Sequence, residues 1–199
     1  MLLQKIRKEK PKKALPVAID YDNTKYWQIV DDICTYLKID KPNILFYPFI
    51  FDLPEIGQVG SNEISDYKKY GQYMIGGIYY DNTDTILMQY NDPTTGNQYG
   101  YPDAYIDNIA HELRHKWQYI YHRDKFYVEP NAIGIEHVND KSEIDADAFS
   151  CAYTTHFLKR EGKVYSPFVA GMFMVDGGLR ERQFKHILYD EMKHVYKGK

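Results

Sequence analysis

Cysteine is nearly missing from this 199-residue chain, which carries only Cys34 and Cys151. Two thiols, one of them on the apolar face of an expected helix, make no disulfide framework, and the reading is a reducing, cytoplasmic setting. Long apolar runs are missing as well. No stretch approaches the ~20 residues of a membrane span, and no apolar segment of about 7–15 residues follows the basic start as a secretory signal requires. An excess of one charge is also lacking. The 25 basic and 28 acidic side chains leave a net charge of −3, so nothing draws the chain in general to nucleic acid or an anionic membrane. There is no internal repeat and no low-complexity tract.

What remains is an ordinary globular composition. With 44% hydrophobic and 27% charged residues, the chain can bury one substantial core, and it reads as a single domain over residues 17–199. Residues 1–16 form a basic N-terminal extension, with Lys5, Arg7, Lys8, Lys10, Lys12 and Lys13 making a solvated lead-in.

The strongest motif is His111-Glu112-Leu113-Arg114-His115. A helix advances ~100° and ~1.5 Å per residue, so imidazoles four apart share one face and can hold one Zn²⁺ at ~2.0–2.1 Å. Glu112, about a quarter-turn away, is placed as a general base toward a zinc-activated water. In a chain with 7 His and 10 Glu, chance produces this pattern with a probability of roughly 1%. The context adds to it. Ile106, Ala110, Leu113, Trp117 and Ile120 recur at helical steps, predicting a helix over Asp103–Tyr121 whose apolar stripe lies opposite the histidines. Arg114 falls about 60° from His111, at the expected rim of the cleft.

A catalytic zinc site takes a third protein ligand and leaves the fourth position to water. The best candidate is Glu143, in Ser142-Glu143-Ile144-Asp145-Ala146-Asp147-Ala148-Phe149. Ile144, Ala148, Cys151, Thr155 and Leu158 predict a second helix over Lys141–Lys159. Glu143 and Asp147 share a face there, so Asp147 can accept the outer N–H of a ligand histidine and fix its tautomer.

His111-Glu112-x-x-His115 followed by Glu143-x-x-x-Asp147 resembles the gluzincin branch of the zincin metallopeptidases. The run Glu143–Phe149 is most similar to the corresponding helix of ImmA/IrrE-like peptidases, and the likeness spans about residues 75–160. It implies a small twisted sheet packed on an active-site helix, with an edge strand to which substrate backbone adds, and one Zn²⁺ acting on a protein or peptide. No helix-turn-helix of the kind often fused to such peptidases is visible.

Each residue also has a plainer reading. His111 and His115 could be surface histidines, Glu112 and Asp147 solvated helix carboxylates, and Glu143 the partner of Asp140 in a capping box. His137 is the runner-up third ligand. His122 lies ~10.5 Å beyond His115 by helical rise and cannot share its ion. His156, His186 and His194 read as plain polar helix residues. An oxyanion donor is needed beside the metal, and Tyr127, His137, Tyr153 and Tyr165 all qualify among 20 tyrosines.

Elsewhere, Ile29, Val30, Ile33, Cys34 and Leu37 predict a helix over Lys25–Ile39, and Ile44–Phe51 is a β-prone run broken by Pro48. A loop with Pro54, Gly57 and Gly60 leads to a turn near Glu63–Lys69. Gln72–Tyr80 and Asp84–Tyr90 read as a hairpin around Asp81-Asn82-Thr83. Asn91–Pro102 is a loop that could border substrate. Pro167–Gly178 is mostly apolar, and Leu179–Tyr196 reads as a terminal helix.

The expected fold class is therefore α+β, with a mainly antiparallel sheet and a helical C-terminal half. The expected function is zinc-dependent peptide hydrolysis through His111, His115, Glu143 and Glu112. The rival from another class is a catalytically inactive, zinc-stabilised binding or regulatory protein, in which four protein ligands close the metal. A third reading, a metal-free DNA-associated module using the basic start, predicts steep salt dependence.

Overall fold

A computed structural model describes residues 17–48, 50, 76–91, 102–126 and 141–160, together with Arg182 and His186. Side chains are described for these except 102–104 and 155–160.

The first helix, α1 (Thr24–Leu37), opens on Asn23, whose side-chain oxygen accepts the Tyr26 N–H at 3.0 Å and so satisfies a donor that the helix start leaves over. Its expected stripe is buried in full: Ile29, Val30, Ile33, Cys34 and Leu37 all face inward. Lys38 takes a left-handed conformation (φ 56°) and the Ile39 N–H closes on the Cys34 carbonyl at 3.0 Å. That cap ends the helix two residues before the boundary predicted from periodicity. Strand β1 (Asn43–Tyr47) likewise stops at Pro48, which has no N–H for a ladder.

Strands β2 (Gly77–Tyr80) and β3 (Thr85–Gln89) form the expected hairpin, antiparallel in the register Tyr80↔Thr85. Residues 81–84 make the turn, where Asp84 adopts φ 47°, a conformation Asp tolerates better than most residues. The sheet order is β1-β3-β2, and β1 pairs with β3 in parallel, from Asn43↔Thr85 to Tyr47↔Gln89. The sheet is thus mixed, which corrects the expectation of a mainly antiparallel one. A short turn fixes hairpin direction locally, whereas β1 meets β3 across a long sequence separation and no local pattern carries its direction. The one sign of it is Ile86-Leu87-Met88, an apolar run without alternation. Ile86 and Met88 enter the main core, while Leu87 packs with Ile50 on the opposite face, as a central strand covered on both sides demands.

Helix α2 (Pro102–Tyr121) begins with proline at its first position, where no N–H is needed. It is followed by the single turn α3 (Arg123–Phe126) and by α4 (Lys141–Arg160). From α2, Tyr105, Ile106, Ile109, Ala110 and Leu113 fill the core against Ile33 and Phe46, and α4 adds Ala148, Phe149 and Ala152. Ile33, Ile109 and Leu113 are each 0% exposed, so each contributes about 1.5–3 kcal/mol of apolar burial. The predicted stripe of α2 fails at its end, since Ile120 is 47% exposed. The class is α+β, and among the described residues no helix is long and apolar enough to cross a membrane.

The basic extension 1–16, the loop with Pro54, Gly57 and Gly60, the turn near 63–69, most of the loop 91–102 and the apolar stretch 167–178 lie outside the described residues. Of the expected terminal helix only Arg182 and His186 are described, and both are helical and exposed.

Candidate metal centre

Helix α2 runs between the sheet and α4, and three of its faces carry different chemistry. Its apolar face enters the core. A second face, with Asn108 and Glu112, lies directly beneath the start of β2. A Cβ added to Gly76 would sit 1.9 Å from Asn108 Nδ2, and one added to Gly77 would sit 2.7 Å from Glu112 Cγ. The two glycines therefore set how closely the strand can approach the helix. The third face carries His111, Arg114, His115 and Gln118, spaced at i, i+3, i+4 and i+7, and turns toward α4.

Three candidate ligands converge between the helices. His111, His115 and Glu143 each offer one ligand atom, and these atoms lie within 4.8 Å of one another. The His111 and His115 Nε2 atoms are 2.9 Å apart. Glu143 Oε2 is 3.2 Å from His111 Nε2, and Glu143 Oε1 is 3.3 Å from His115 Nε2. Donors at ~2.0–2.1 Å from a tetrahedral zinc stand about 3.3 Å from one another, close to the two carboxylate contacts and slightly beyond the separation of the imidazole nitrogens, so the donor set fits that ion once the two rings part slightly. Glu143 thus reaches across to α2, while Asp140, its partner in the capping-box alternative, lies outside the described residues.

The orientation of His111 is also fixed. Asp147, one turn beyond Glu143 on α4, places Oδ1 2.9 Å from His111 Nδ1. A carboxylate oxygen there requires an Nδ1–H donor, which leaves Nε2 facing the centre. The two imidazoles are only partly exposed, at 18% and 19% of their side-chain area. Burial works against charge on both, yet the hydrogen bonds from His111 to Asp147 and Glu143 hold its pKa well above the ordinary imidazole range. The charge of Glu143, and then its hydrogen bond, raise the His115 pKa. Burial likewise acts against the Glu143 carboxylate, but His115 and His111 keep its pKa well below the usual range. In the metal-free centre Glu143 and Asp147 therefore favour protons on the imidazoles, and a divalent cation would have to displace any proton held on Nε2.

No family model, curated protein or solved structure matches this chain.

Glu112 stands beside the cluster, 6% exposed. Burial raises its pKa, the charges on His111 and His115 pull it down, and the Tyr79 backbone N–H donates to the carboxylate. Glu112 therefore keeps a defined orientation under β2. Asp107, one turn before His111, is pushed up to about 6 by burial, opposed by a hydrogen bond from Ser150.

His111, Glu112, His115, Glu143 and Asp147 are thus brought together as expected. Arg114 is a correction. It is 3% exposed and nowhere near a rim, because Nε and Nη2 bind Asp145 at 2.8 and 3.2 Å. Its guanidinium also lies 3.8 Å from the centroid of the Trp117 ring, a stacking geometry that Arg adopts readily. Tyr153 is corrected too. It belongs to the hydrophobic core beside Phe149, and ten residues of helix put it ~15 Å along the axis from Glu143, too far for an oxyanion donor. Tyr127, His137 and Tyr165 lie outside the described residues. His122 packs against Trp117, with ring centroids 4.4 Å apart, consistent with its exclusion from the centre.

Sequence reasoning missed Gln118, Asp145, Gly76 and Gly77. Gln118 follows His115 by three, a helical neighbour position that could have flagged it. Asp145 sits between Ile144 and Ala146 in an otherwise buried stretch, and a charge there demands a partner. The glycines carry no such signal, since only the approach of helix and strand makes them necessary.

Proposed function

We propose that the chain is a zinc-dependent metallopeptidase of gluzincin type on a zincin-like fold, with His111, His115 and Glu143 as the metal ligands and Glu112 as general base. The observation that carries this reading is the convergence of three ligand atoms from two helices within 4.8 Å, beside a buried carboxylate. Zinc held by these three residues would supply Lewis-acid chemistry and would make water acidic near neutral pH. Glu112 would take a proton from water at that site and pass it to the leaving amine, and its buried position beside the candidate ligands and under Gly77 suits both halves of the task. Among the described residues β2 is at the sheet edge, and its Gly77 touches Glu112, so a peptide laid along that edge would bring a carbonyl to the base. The substrate class is protein or peptide.

Metal analysis after dialysis tests the ligands: the parent should retain one zinc per chain and His111→Ala and Glu143→Ala should lose it. Unchanged zinc in both variants ends the assignment. Glu112→Gln should keep zinc and lose about 10²–10⁴-fold in hydrolysis of an unfolded protein substrate. Full activity in that variant refutes the base. The rival, an inactive zinc-stabilised binding protein, draws on the depth of Glu112, 6% exposed. It requires a fourth protein ligand on the metal and no hydrolysis by the parent.

A further inference from the structure

The two imidazoles of the centre are held by different devices. His111 meets Asp147 directly, but His115 Nδ1 lies 3.0 Å from an amide oxygen, Oε1 of Gln118. An amide can turn either end to a neighbour, so the surroundings decide which atom faces the ring. Here they leave one choice. Gln118 Nε2 is 2.9 Å from the Ser142 carbonyl oxygen and 2.9 Å from Asp145 Oδ2, and both of those only accept. The NH₂ must therefore face α4, and Oε1 must face His115. An oxygen at that distance needs a donor, so His115 carries its proton on Nδ1. Nε2 is left for the centre, and Nε2 is the atom 3.3 Å from Glu143 Oε1.

Asp145 is fixed in turn. Arg114 grips both of its oxygens, at 2.8 and 3.2 Å, and the guanidinium stands 3.8 and 4.9 Å from the ring centroids of Trp117 and Phe149. Arg114, Gln118 and Asp145 are all at most 4% exposed, so water does not compete for these bonds. We propose that Gln118, clamped by Asp145 and Arg114, is the positioning residue that sets the tautomer and ring plane of His115 for metal coordination. Arg114, the charge inside the motif, is then the anchor of this relay. It also cancels the Asp145 charge, so His115 is oriented through a neutral amide and the centre gains no further net negative charge from this side. The proposal rests on the reading that His111, His115 and Glu143 bind zinc.

Zinc affinity, measured by chelator competition, and the ¹⁵N signals of the His115 ring in the zinc-loaded protein provide the test. In the unaltered protein, His115 should bind through Nε2 with a proton on Nδ1; coordination through Nδ1 overturns the relay. Gln118→Leu removes both contacts and should weaken zinc binding by about 10–100-fold, the usual cost of losing a group that orients a ligand. Gln118→Glu keeps an acceptor for His115 but sets a carboxylate against Asp145 and the Ser142 carbonyl, and should weaken binding as well. In a purely packing role nothing fixes which nitrogen of His115 meets the metal, so the ¹⁵N assignment in the unaltered protein decides the proposal even if Gln118→Leu does not fold. Parental affinity in Gln118→Leu beside lost binding in His111→Ala would overturn the relay and leave the metal centre standing. No zinc binding by the unaltered protein would remove both.

Discussion

Helix α1 and helix α4 pack against the same core in opposite ways. Between α1 and the sheet the contact is apolar: Ile29, Val30, Ile33 and Leu37 are buried with Phe46, Ile86 and Met88. Between α2 and α4 a polar seam runs alongside the apolar contacts, with Arg114, Gln118, Ser142 and Asp145 buried at 3–4% exposure and the candidate ligands next to them. Burying apolar surface is favourable in any arrangement that excludes water. Burying charge is favourable only where each group meets its partner at the right distance and angle. The α1 contact therefore supplies stability with loose geometric demands, while the seam contributes little net stability and strict geometry. A site that must hold three ligand atoms within a few tenths of an ångström belongs on the second kind of contact.

The sharpest way to break this comparison is to halve a buried ion pair. Asp145→Ala strands the Arg114 guanidinium at 3% exposure, which should cost about 3–5 kcal/mol of unfolding free energy in urea titration of the metal-free protein. Arg114→Met with Asp145→Leu removes both charges and should recover most of that stability, yet zinc binding should stay weak because Gln118 loses an acceptor. Recovery of stability and affinity together would mean that the seam is ordinary packing. Ile33→Ala is the converse. It empties a fully buried site in the α1 contact and should cost about 2–5 kcal/mol, with the zinc affinity of the folded protein unchanged. A parallel fall in affinity would show that the core, too, positions the ligands.

Acidity separates the two contacts next, since near neutral pH the shifted groups lie in the seam, whereas burial pushes the Cys34 thiol of the α1 contact up to about 11. The raised His111 and His115 pKa values contribute stability to the metal-free protein that is fully present below the unfolded imidazole value of about 6.5 and lost as pH rises through the folded values. Asp107, raised to about 6, adds a loss of the same sign at lower pH. Metal-free protein should therefore melt at a higher temperature at about pH 6 than at about pH 8. Zinc inverts this order. It requires the same nitrogens deprotonated, so its affinity should fall by up to about tenfold per pH unit for each histidine protonated. Melting curves with chelator and with saturating zinc read both signs, and the same pH order in both conditions would contradict the assignment of the histidines.

The same distinction decides what could be read from the chain. The α1 stripe Ile29, Val30, Ile33, Cys34 and Leu37 was legible because apolar burial leaves a periodic trace, although a left-handed cap at Lys38 moved its end. The convergence of His111, Glu112, His115, Glu143 and Asp147 was legible because a candidate metal site restricts residue type and helical geometry restricts spacing. Gln118 and Asp145 were not, because glutamine and aspartate are common and the contacts that join the two, and Asp145 to Arg114, cross between helices. Arg114 was misplaced for the same reason: wheel position gives a direction, and only the arrival of Asp145, Trp117 and Phe149 shows that the direction points inward. The parallel β1–β3 pairing escaped because it joins segments distant in sequence.

The smallest effect belongs to an ion pair that resembles the buried one in distance alone. Lys41 Nζ and Asp31 Oδ1 are 2.9 Å apart, as close as Arg114 and Asp145, but their side chains are 41% and 61% exposed. In water the attraction between unit charges at this range is largely offset by hydration and by the freedom of both side chains, so exposed pairs are worth about 0.2–1 kcal/mol. Asp31→Asn should therefore lower stability by less than about 1 kcal/mol, and ~1 M salt should abolish the difference because the Debye length then shrinks to about 3 Å. Asp145→Ala should keep most of its cost at that ionic strength, since no counterion can approach a pair buried between α2 and α4. Equal salt sensitivity in the two variants would show that the seam is open to solvent, and the geometric strictness argued for the metal ligands would lose its physical basis.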